Sequence, residues 1–240
     1  MKICVAQTYP VKGDVQKNIE DHLKFIDRSI KYNADLIIFP ELSLTGYEPS
    51  LAKELATTAE DKRFNVFQEL SNQHRIVIGV GIPLKGKNGI HISLILFQPF
   101  EPRSVYSKKY LHSDEEPYFV PGQNFPVINI QNKKIGLAIC YEISINDHLR
   151  DAIQSGAEVY LASVAKSATG VEQASTRLSE IASQNQIYTF MANSIGPSDY
   201  FISAGNSSVW NQNGELIGQL DEKEKGILIL DTDLNLLTKT

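Results

Sequence analysis

Residues 1–40, MKICVAQTYP VKGDVQKNIE DHLKFIDRSI KYNADLIIFP, contain the pattern of a β-α-β unit. Apolar, β-rich segments at Ile3–Gln7 and Leu36–Phe39 predict two strands. The stretch between them predicts an amphipathic helix, and Asp14 is suited to cap its N-terminus. The apolar positions of this helix recur at spacings of three and four residues: Ile19, Leu23, Ile26 and Ile30. This order favours two parallel strands with the helix packed on one face.

The alternation of strands and helices continues along the chain. Further strands are predicted at Ile76–Ile82, His91–Gln98, Ser104–Tyr106, Ile135–Ile139, Val159–Ala162, Tyr188–Ala192, Ala204–Trp210, Leu216–Gln219 and Ile227–Leu230. Further helices are predicted around Phe64, Phe67 and Leu70, at Asn146–Gln154 and at Glu172–Asn185. A polar loop with prolines runs from Leu111 to Phe125, and Asn213-Gly214 is typical of a hairpin turn.

Composition and organisation favour one α/β domain over residues 1–240. The chain is 42% hydrophobic and 21% charged, which is the balance of an ordinary globular protein with a large core. No linker, composition break or internal repeat divides it. Helices between some strands and tight turns between others predict mixed sheets, but the pattern leaves the number of sheets open.

Charge and cysteine content exclude several classes of protein. The 23 basic and 28 acidic side chains give a net charge of −5, without the basic footprint of a nucleic-acid-binding protein. The start of the sequence lacks a secretory signal pattern, and Ile92–Phe97 is too short an apolar run to cross a bilayer. We therefore expect a cytoplasmic protein with no membrane partner. Cys4 and Cys140 form no C-x-x-C pair, which argues against a disulfide scaffold or zinc site.

Three predicted strands end in polar residues, where α/β sheets usually place their sites. Burial of Glu41 after an apolar strand would raise its pKa and suit it to proton transfer, although a helix cap or surface ion pair is the alternative. Cys140 follows a strand and can be exposed, whereas Cys4 lies within a strand. The alternative for a lone cysteine such as Cys140 is an unreactive residue packed in the core. Lys108 and Lys109 begin a charged loop that, taken alone, indicates a solvated segment.

These segments contain three ordered motifs. The first is F-P-E at residues 39–41 with T-G-Y at residues 45–47. The second is Y-x-K-x-x-L at residues 106–111 followed by Y-F-x-P-G at residues 118–122, and the third is G-x-x-I-C-Y-E at residues 136–142. Together they resemble the signatures of the nitrilase superfamily of carbon-nitrogen hydrolases.

The resemblance implies a role for each motif. Cys140 would be the nucleophile, Glu41 the general base and Lys108 the oxyanion stabiliser. The motif register selects Lys108 over the lysine that follows it. Spacing within the second motif selects Glu115 over Glu116 as a further active-site glutamate that helps to position the substrate.

The resemblance also implies a substrate pocket. Its expected lining residues are Tyr47, Tyr118, Tyr141, Glu142 and Ala165. Residues 163–165 replace a turn that usually contains proline in the family, which leaves the substrate open. Lys166 or Arg177 is a candidate to bind a substrate carboxylate, and a solvated surface charge is the alternative for either.

The resemblance also implies the fold, an α-β-β-α sandwich of two stacked mixed sheets flanked by helices. The resemblance further implies a homodimer or larger homo-oligomer, and neither a metal nor an organic cofactor. We expect hydrolysis of a small amide through a cysteine thioester, with release of ammonia or an amine. A nitrilase or an N-carbamoyl hydrolase would use the same four residues, but Tyr141 after the nucleophile favours an amidase over a nitrilase. The alternative from another class is a catalytically silent homologue that binds a metabolite.

Overall fold

The chain folds into four layers, with two β-sheets stacked face to face between two layers of helices. The computed structural model describes residues 1–123 and 127–240. This architecture confirms the predicted α-β-β-α sandwich of two mixed sheets. The end of the predicted loop Leu111–Phe125 lies outside the described residues.

The described residues form the following elements. The strands are β1 (Lys2–Gln7), β2 (Leu36–Ile38), β3 (Val77–Lys85), β4 (Ile90–Phe97), β5 (Ser104–Ser107), β6 (Val127–Ile130), β7 (Lys133–Ile139), β8 (Val159–Val164), β9 (Tyr188–Asn193), β10 (Ile195–Pro197), β11 (Ile202–Ala204), β12 (Ser208–Trp210), β13 (Leu216–Gln219), β14 (Gly226–Asp231) and β15 (Leu236–Lys239). The α-helices are α1 (Val15–Lys31), α2 (Ala52–Leu55), α3 (Asn65–His74), α4 (Asn146–Gln154) and α5 (Ala168–Asn185). Short 3-10 helices lie at Pro49–Leu51, Lys62–Phe64 and Cys140–Ser144. Within these residues, no α-helix has both the length and the apolar character needed to cross a membrane.

Both large sheets have a parallel centre and antiparallel edges. The first has the order β15-β14-β1-β2-β3-β4-β5, and the second has the order β13-β12-β9-β8-β7-β6. The parallel strands are β1-β2-β3 and β7-β8-β9, which the chain joins through helices. Short connections join the antiparallel pairs that are consecutive along the chain, such as β3-β4 and β14-β15, whereas the antiparallel pairs β1-β14 and β9-β12 join strands that are not consecutive.

Alternation of side chains along the strands generates the layers. In β1, Ile3 and Val5 face the opposite sheet, whereas Cys4 and Ala6 face the helices. The helices cover these outer faces with apolar residues of their own, including Ile26 of α1. Burying both faces of a sheet explains why its central strands are almost continuously apolar. The structure thus makes Cys4 a buried core residue, as predicted.

The structure corrects three details of the predicted elements. The segment Ala204–Trp210 is two strands, because Gly205 and Asn206 have φ angles of 59° and 55° that interrupt an extended backbone. Helix α5 begins at Ala168 rather than at Glu172, because Ser167 caps it. Strands β6, β10 and β15 were not predicted; they are three or four residues long.

Candidate active site

Cys140 occupies a sharp turn at the end of β7, where a 3-10 helix begins. Its φ of 47° lies in the left-handed region, which is unfavourable for a residue other than glycine and is kept only where surrounding structure enforces it. The turn leaves Cys140 partly exposed, whereas Cys4 is fully buried. The Cys140 Sγ lies 3.7 Å from the carbonyl oxygen of Ala165. Cys140 is therefore the cysteine that a small molecule can reach.

A buried lysine joins two carboxylates beside this turn. Lys108 follows β5 and donates from Nζ to Glu41 Oε1 at 2.8 Å and to Glu115 Oε1 at 2.6 Å. All three side chains are at most 1% exposed. A buried charge is costly unless it is paired, so one cation between two carboxylates explains how the cluster persists in the interior.

The two glutamates differ in how their oxygens are used. Glu115 Oε1 also accepts a hydrogen bond from the Tyr47 hydroxyl at 2.9 Å, and its Oε2 accepts one from the His112 N–H at 2.8 Å. Glu41 Oε2 is buried without a hydrogen-bond partner among the residues that the structure describes. Glu115 is therefore a fixed acceptor for Lys108, whereas Glu41 keeps one oxygen available to receive a proton.

The surroundings of these groups shift their pKa values. Burial raises the pKa of Glu41 to about 7, an effect that the Lys108 charge opposes and the Glu115 charge reinforces. Burial raises the pKa of Cys140 to about 11; Glu41 adds to the shift, while Lys166 and Lys108 oppose it. Burial alone would lower the pKa of Lys108, but the two carboxylates raise it above its ordinary value. Near pH 7 the lysine is thus a cation, and the thiol needs a base.

A cavity of about 260 Å³ opens onto the cluster and the thiol. Its lining residues are Tyr47, Lys108, His112, Asp114, Glu115, Cys140, Tyr141, Ala165, Lys166, Ser167, Gly170 and Phe201. Three residues predicted to bind substrate, Tyr47, Tyr141 and Ala165, are therefore placed at this cavity. Its volume suits a small substrate.

Two other residues predicted to bind substrate lie elsewhere. Tyr118 is 37% exposed outside the cavity lining, and its hydroxyl is 2.9 Å from that of Tyr200. Glu142 is fully buried and is also absent from the lining. The prediction that Glu142 lines the cavity is wrong. The 3-10 helix that begins at Cys140 directs the Glu142 carboxylate toward the backbone N–H groups of Ile139 and Lys109.

Glu142 joins the ends of two strands. Its Oε2 accepts hydrogen bonds from the Tyr106 hydroxyl at 2.6 Å and from the Ile139 N–H at 2.8 Å. Its Oε1 accepts bonds from the N–H groups of Lys109 at 2.6 Å and Tyr110 at 3.3 Å. The carboxylate thus ties the residue before the cysteine to the residue after the buried lysine.

His148 extends this buried network. Helix α4 buries His148, whose Nε2 lies 3.0 Å from the Tyr106 hydroxyl. Its Nδ1 is 2.8 Å from the Tyr160 hydroxyl. Burial lowers the pKa of His148 to about 4, so the ring is neutral at pH 7. His148 thus connects Tyr106, which holds the Glu142 carboxylate, to Tyr160 of β8.

Several cavity residues were missed by the sequence analysis. Phe201, from the loop between β10 and β11, packs its ring 5.5 Å from that of Tyr47. His112 packs edge-on to the Tyr141 ring at 5.1 Å. No local pattern places Phe201 here, because this contact joins parts of the chain distant in sequence. Of the two candidate cations, Arg177 is engaged outside the cavity lining, with the Ile143 carbonyl and the Asn146 side chain.

The comparison with known families agrees with this geometry. The sequence pattern of the carbon-nitrogen hydrolase family matches residues 2–240. The chain belongs to this family. The match places the chain in the nitrilase superfamily, as the three motifs predict.

Solved structures and curated relatives place amidases among its similar proteins. A cysteine-to-alanine mutant of the amidase from Nesterenkonia sp. AN1, in complex with butyramide, has 25% identity and a TM-score of 0.86 and covers 98% of this chain and 92% of that one. The (R)-stereoselective amidase of a Pseudomonas species is 26% identical, over 97% of this chain and 86% of the relative. The glutamine-dependent NAD(+) synthetase of Acinetobacter baylyi is 28% identical over 97% of this chain, which spans 44% of that relative.

Proposed function

We propose that the enzyme hydrolyses the carbon-nitrogen bond of a small amide through a thioester on Cys140. The observation that carries the proposal is the buried cluster of Glu41, Lys108 and Glu115 beside the partly exposed thiol. Two neighbours support an amide substrate: the butyramide complex, and a glutamate-to-glutamine mutant of the same amidase with the acetamide moiety of fluoroacetamide added at the active site cysteine. The second is 26% identical, with a TM-score of 0.84 and coverage of 95% of this chain and 89% of that one.

The first half-reaction forms the thioester. Glu41 takes the thiol proton through its free Oε2 as the Cys140 sulfur attacks the amide carbon. The Lys108 ammonium and the backbone N–H of Tyr141 bind the negative charge that develops on the carbonyl oxygen. Glu41 then passes its proton to the amide nitrogen, the carbon-nitrogen bond breaks, and ammonia or an amine leaves.

The second half-reaction regenerates the thiol. Glu41 takes a proton from water as the hydroxyl oxygen attacks the thioester carbon, and the carbon-sulfur bond breaks. The departing sulfur receives the proton from Glu41, and a carboxylic acid is released. Glu115 holds the Lys108 ammonium in place through both steps, since its oxygens are already engaged.

Ammonia release from butyramide, butyronitrile and an N-carbamoyl amino acid tests the proposed reaction. We expect the wild-type enzyme to release ammonia from butyramide faster than from the other two compounds. Turnover of the nitrile or the carbamoyl compound alone would replace the proposal with one of those activities. If the wild type releases ammonia from none of the three compounds and iodoacetamide does not modify Cys140, the protein is a binding protein rather than a hydrolase.

The raised pKa of Glu41 predicts the acid side of the pH profile. Below about 7 the carboxyl group is increasingly protonated and cannot accept the thiol proton, so kcat/KM falls about tenfold per pH unit. Above that pH the carboxylate form of Glu41 predominates, so kcat/KM no longer rises with pH on account of this group. Measurement of kcat/KM for butyramide across this range checks the prediction. If the kcat/KM of the wild type does not fall as the pH is lowered below about 7, Glu41 is not the general base.

Replacing Glu142 should misplace the catalytic groups without touching the cavity. In Glu142→Gln, an amide N–H₂ group replaces an oxygen that accepts two hydrogen bonds, so the strand ends on either side lose their connection. We expect kcat to fall by about 10-fold to 100-fold with little change in KM. Steady-state kinetics with the exposed Glu116→Gln as the matched control measure the effect. Equal rates in the two variants would contradict the positioning role.

A further inference from the structure

Lys166 places a positive charge in the cavity that the proposed chemistry does not use. Its half-buried side chain lines the same cavity as Cys140. No ion pair engages its ammonium group within residues 1–123 and 127–240. The acidic residues of the lining are engaged with other groups: Asp114 with His112 at 2.6 Å, and Glu115 with Lys108. The cavity therefore offers a cation to a ligand.

A buried side chain fixes the backbone of this lysine. Asn193, which is fully buried, accepts a hydrogen bond from the Lys166 N–H at 2.9 Å and donates from Nδ2 to the Lys166 carbonyl at 3.2 Å. The Nδ2 group also donates to the Gly205 carbonyl at 2.7 Å, and the Ala204 N–H donates to the Lys166 carbonyl at 2.9 Å. These hydrogen bonds fix the backbone of Lys166, which limits the directions that its flexible side chain can take.

Two further features favour a negative charge at this end of the cavity. Ser167, which caps α5, and Gly170, in the first turn of α5, also line it, and the partial positive charge of a helix N-terminus favours anions. The Lys166 charge acts on the thiol: burial raises the pKa of Cys140, and Lys166 opposes that rise. Lys166 and Cys140 both line this one cavity of about 260 Å³, so one short substrate can contact both.

We propose that the preferred substrate is the monoamide of a short dicarboxylic acid, with its amide at Cys140 and its free carboxylate at Lys166. This inference rests on the proposed amide hydrolysis and adds the class of substrate to it. The carboxylate pairs with the cation that the cavity leaves unengaged, while the carbons between the two groups lie along the cavity. A neutral amide of the same length gains no such ion pair and binds more weakly.

The test compares succinic acid monoamide with its neutral methyl ester, and follows ammonia release by the wild type, Lys166→Met, Lys166→Arg and Arg177→Met. We expect the wild type to prefer the acid, measured as the ratio of kcat/KM values. Lys166→Met should reduce this ratio by between about 10-fold and about 100-fold, mainly through KM of the acid, because charged hydrogen bonds are the strong ones. Lys166→Arg should restore most of the ratio, and Arg177→Met should leave it unchanged.

The outcomes separate the two proposals. A wild type that cleaves the ester as well as the acid, or a ratio that survives Lys166→Met, overturns the carboxylate site while amide hydrolysis stands. Equal losses on both substrates in Lys166→Met would also overturn it, because they would show that the lysine acts only on the thiol. If neither compound nor butyramide yields ammonia, amide hydrolysis fails and the substrate class fails with it.

Discussion

Cys140→Ala is expected to lower ammonia release from butyramide by about 10⁴-fold or more, because the variant has no sulfur to form the thioester. The substitution removes a partly exposed side chain at a turn, so the folded structure should persist. Ammonia release measured beside a circular dichroism spectrum checks both statements. A variant that keeps a substantial fraction of wild-type activity would show that Cys140 is not the nucleophile.

The second cysteine provides a matched control. Cys4 is fully buried and packs against the helix layer, and burial raises the pKa of its thiol far above the ordinary range. Cys4→Ala should therefore keep near-wild-type activity per folded molecule. In the native wild type, iodoacetamide should modify Cys140 and spare Cys4, as peptide mass mapping would show. Loss of activity in folded Cys4→Ala equal to that in Cys140→Ala would contradict the assignment.

Lys108→Met is expected to lower kcat by about 100-fold to 1,000-fold, since it removes a donor to the developing oxyanion. It also removes the cation between Glu41 and Glu115, so the pKa of Glu41 should rise further and the acid limb of the pH profile should move to higher pH. The loss of one partner from a buried ion pair should lower the free energy of unfolding by about 3–5 kcal/mol. Kinetics across pH, normalised to folded protein, measure the first two effects.

The neighbouring lysine is the control for this substitution. Lys109 is 40% exposed, and its ammonium group lies 3.6 Å from the Asp151 carboxylate at the surface. Lys109→Met should leave kcat and the acid limb close to wild type. A near-normal rate for Lys108→Met, or an equal loss for Lys109→Met, would contradict the assignment of the oxyanion donor.

Most of the fold could be predicted because its elements are strongly patterned. Helix α1 follows from the spacing of its apolar residues, and Asp14 caps it through a hydrogen bond from the Lys17 N–H at 3.0 Å. The stacking of two sheets was implied only by the family resemblance. Apolar strands such as β8 indicate burial on both faces but not which element covers each face. Strand β15 was missed because it is short and its residues are exposed or half-buried.

The candidate site could be predicted in part. The motifs singled out Glu41, Lys108, Glu115 and Cys140, and the structure brings the first three into one buried cluster beside the fourth. Their catalytic roles remain predictions. The direction of a side chain at a turn could not be read from sequence, which is why Glu142 was expected in the cavity. A contact such as that of Phe201 with Tyr47 depends on how distant loops meet.

The thioester on Cys140 is the central claim, and trapping it is the most direct test. Wild-type enzyme mixed with butyramide and quenched rapidly in acid should carry one butyryl group on the peptide that contains Cys140. With hydroxylamine present during turnover, the same intermediate should yield butyrohydroxamic acid. Ammonia formed with neither butyryl-Cys140 nor the hydroxamate would contradict a thioester mechanism.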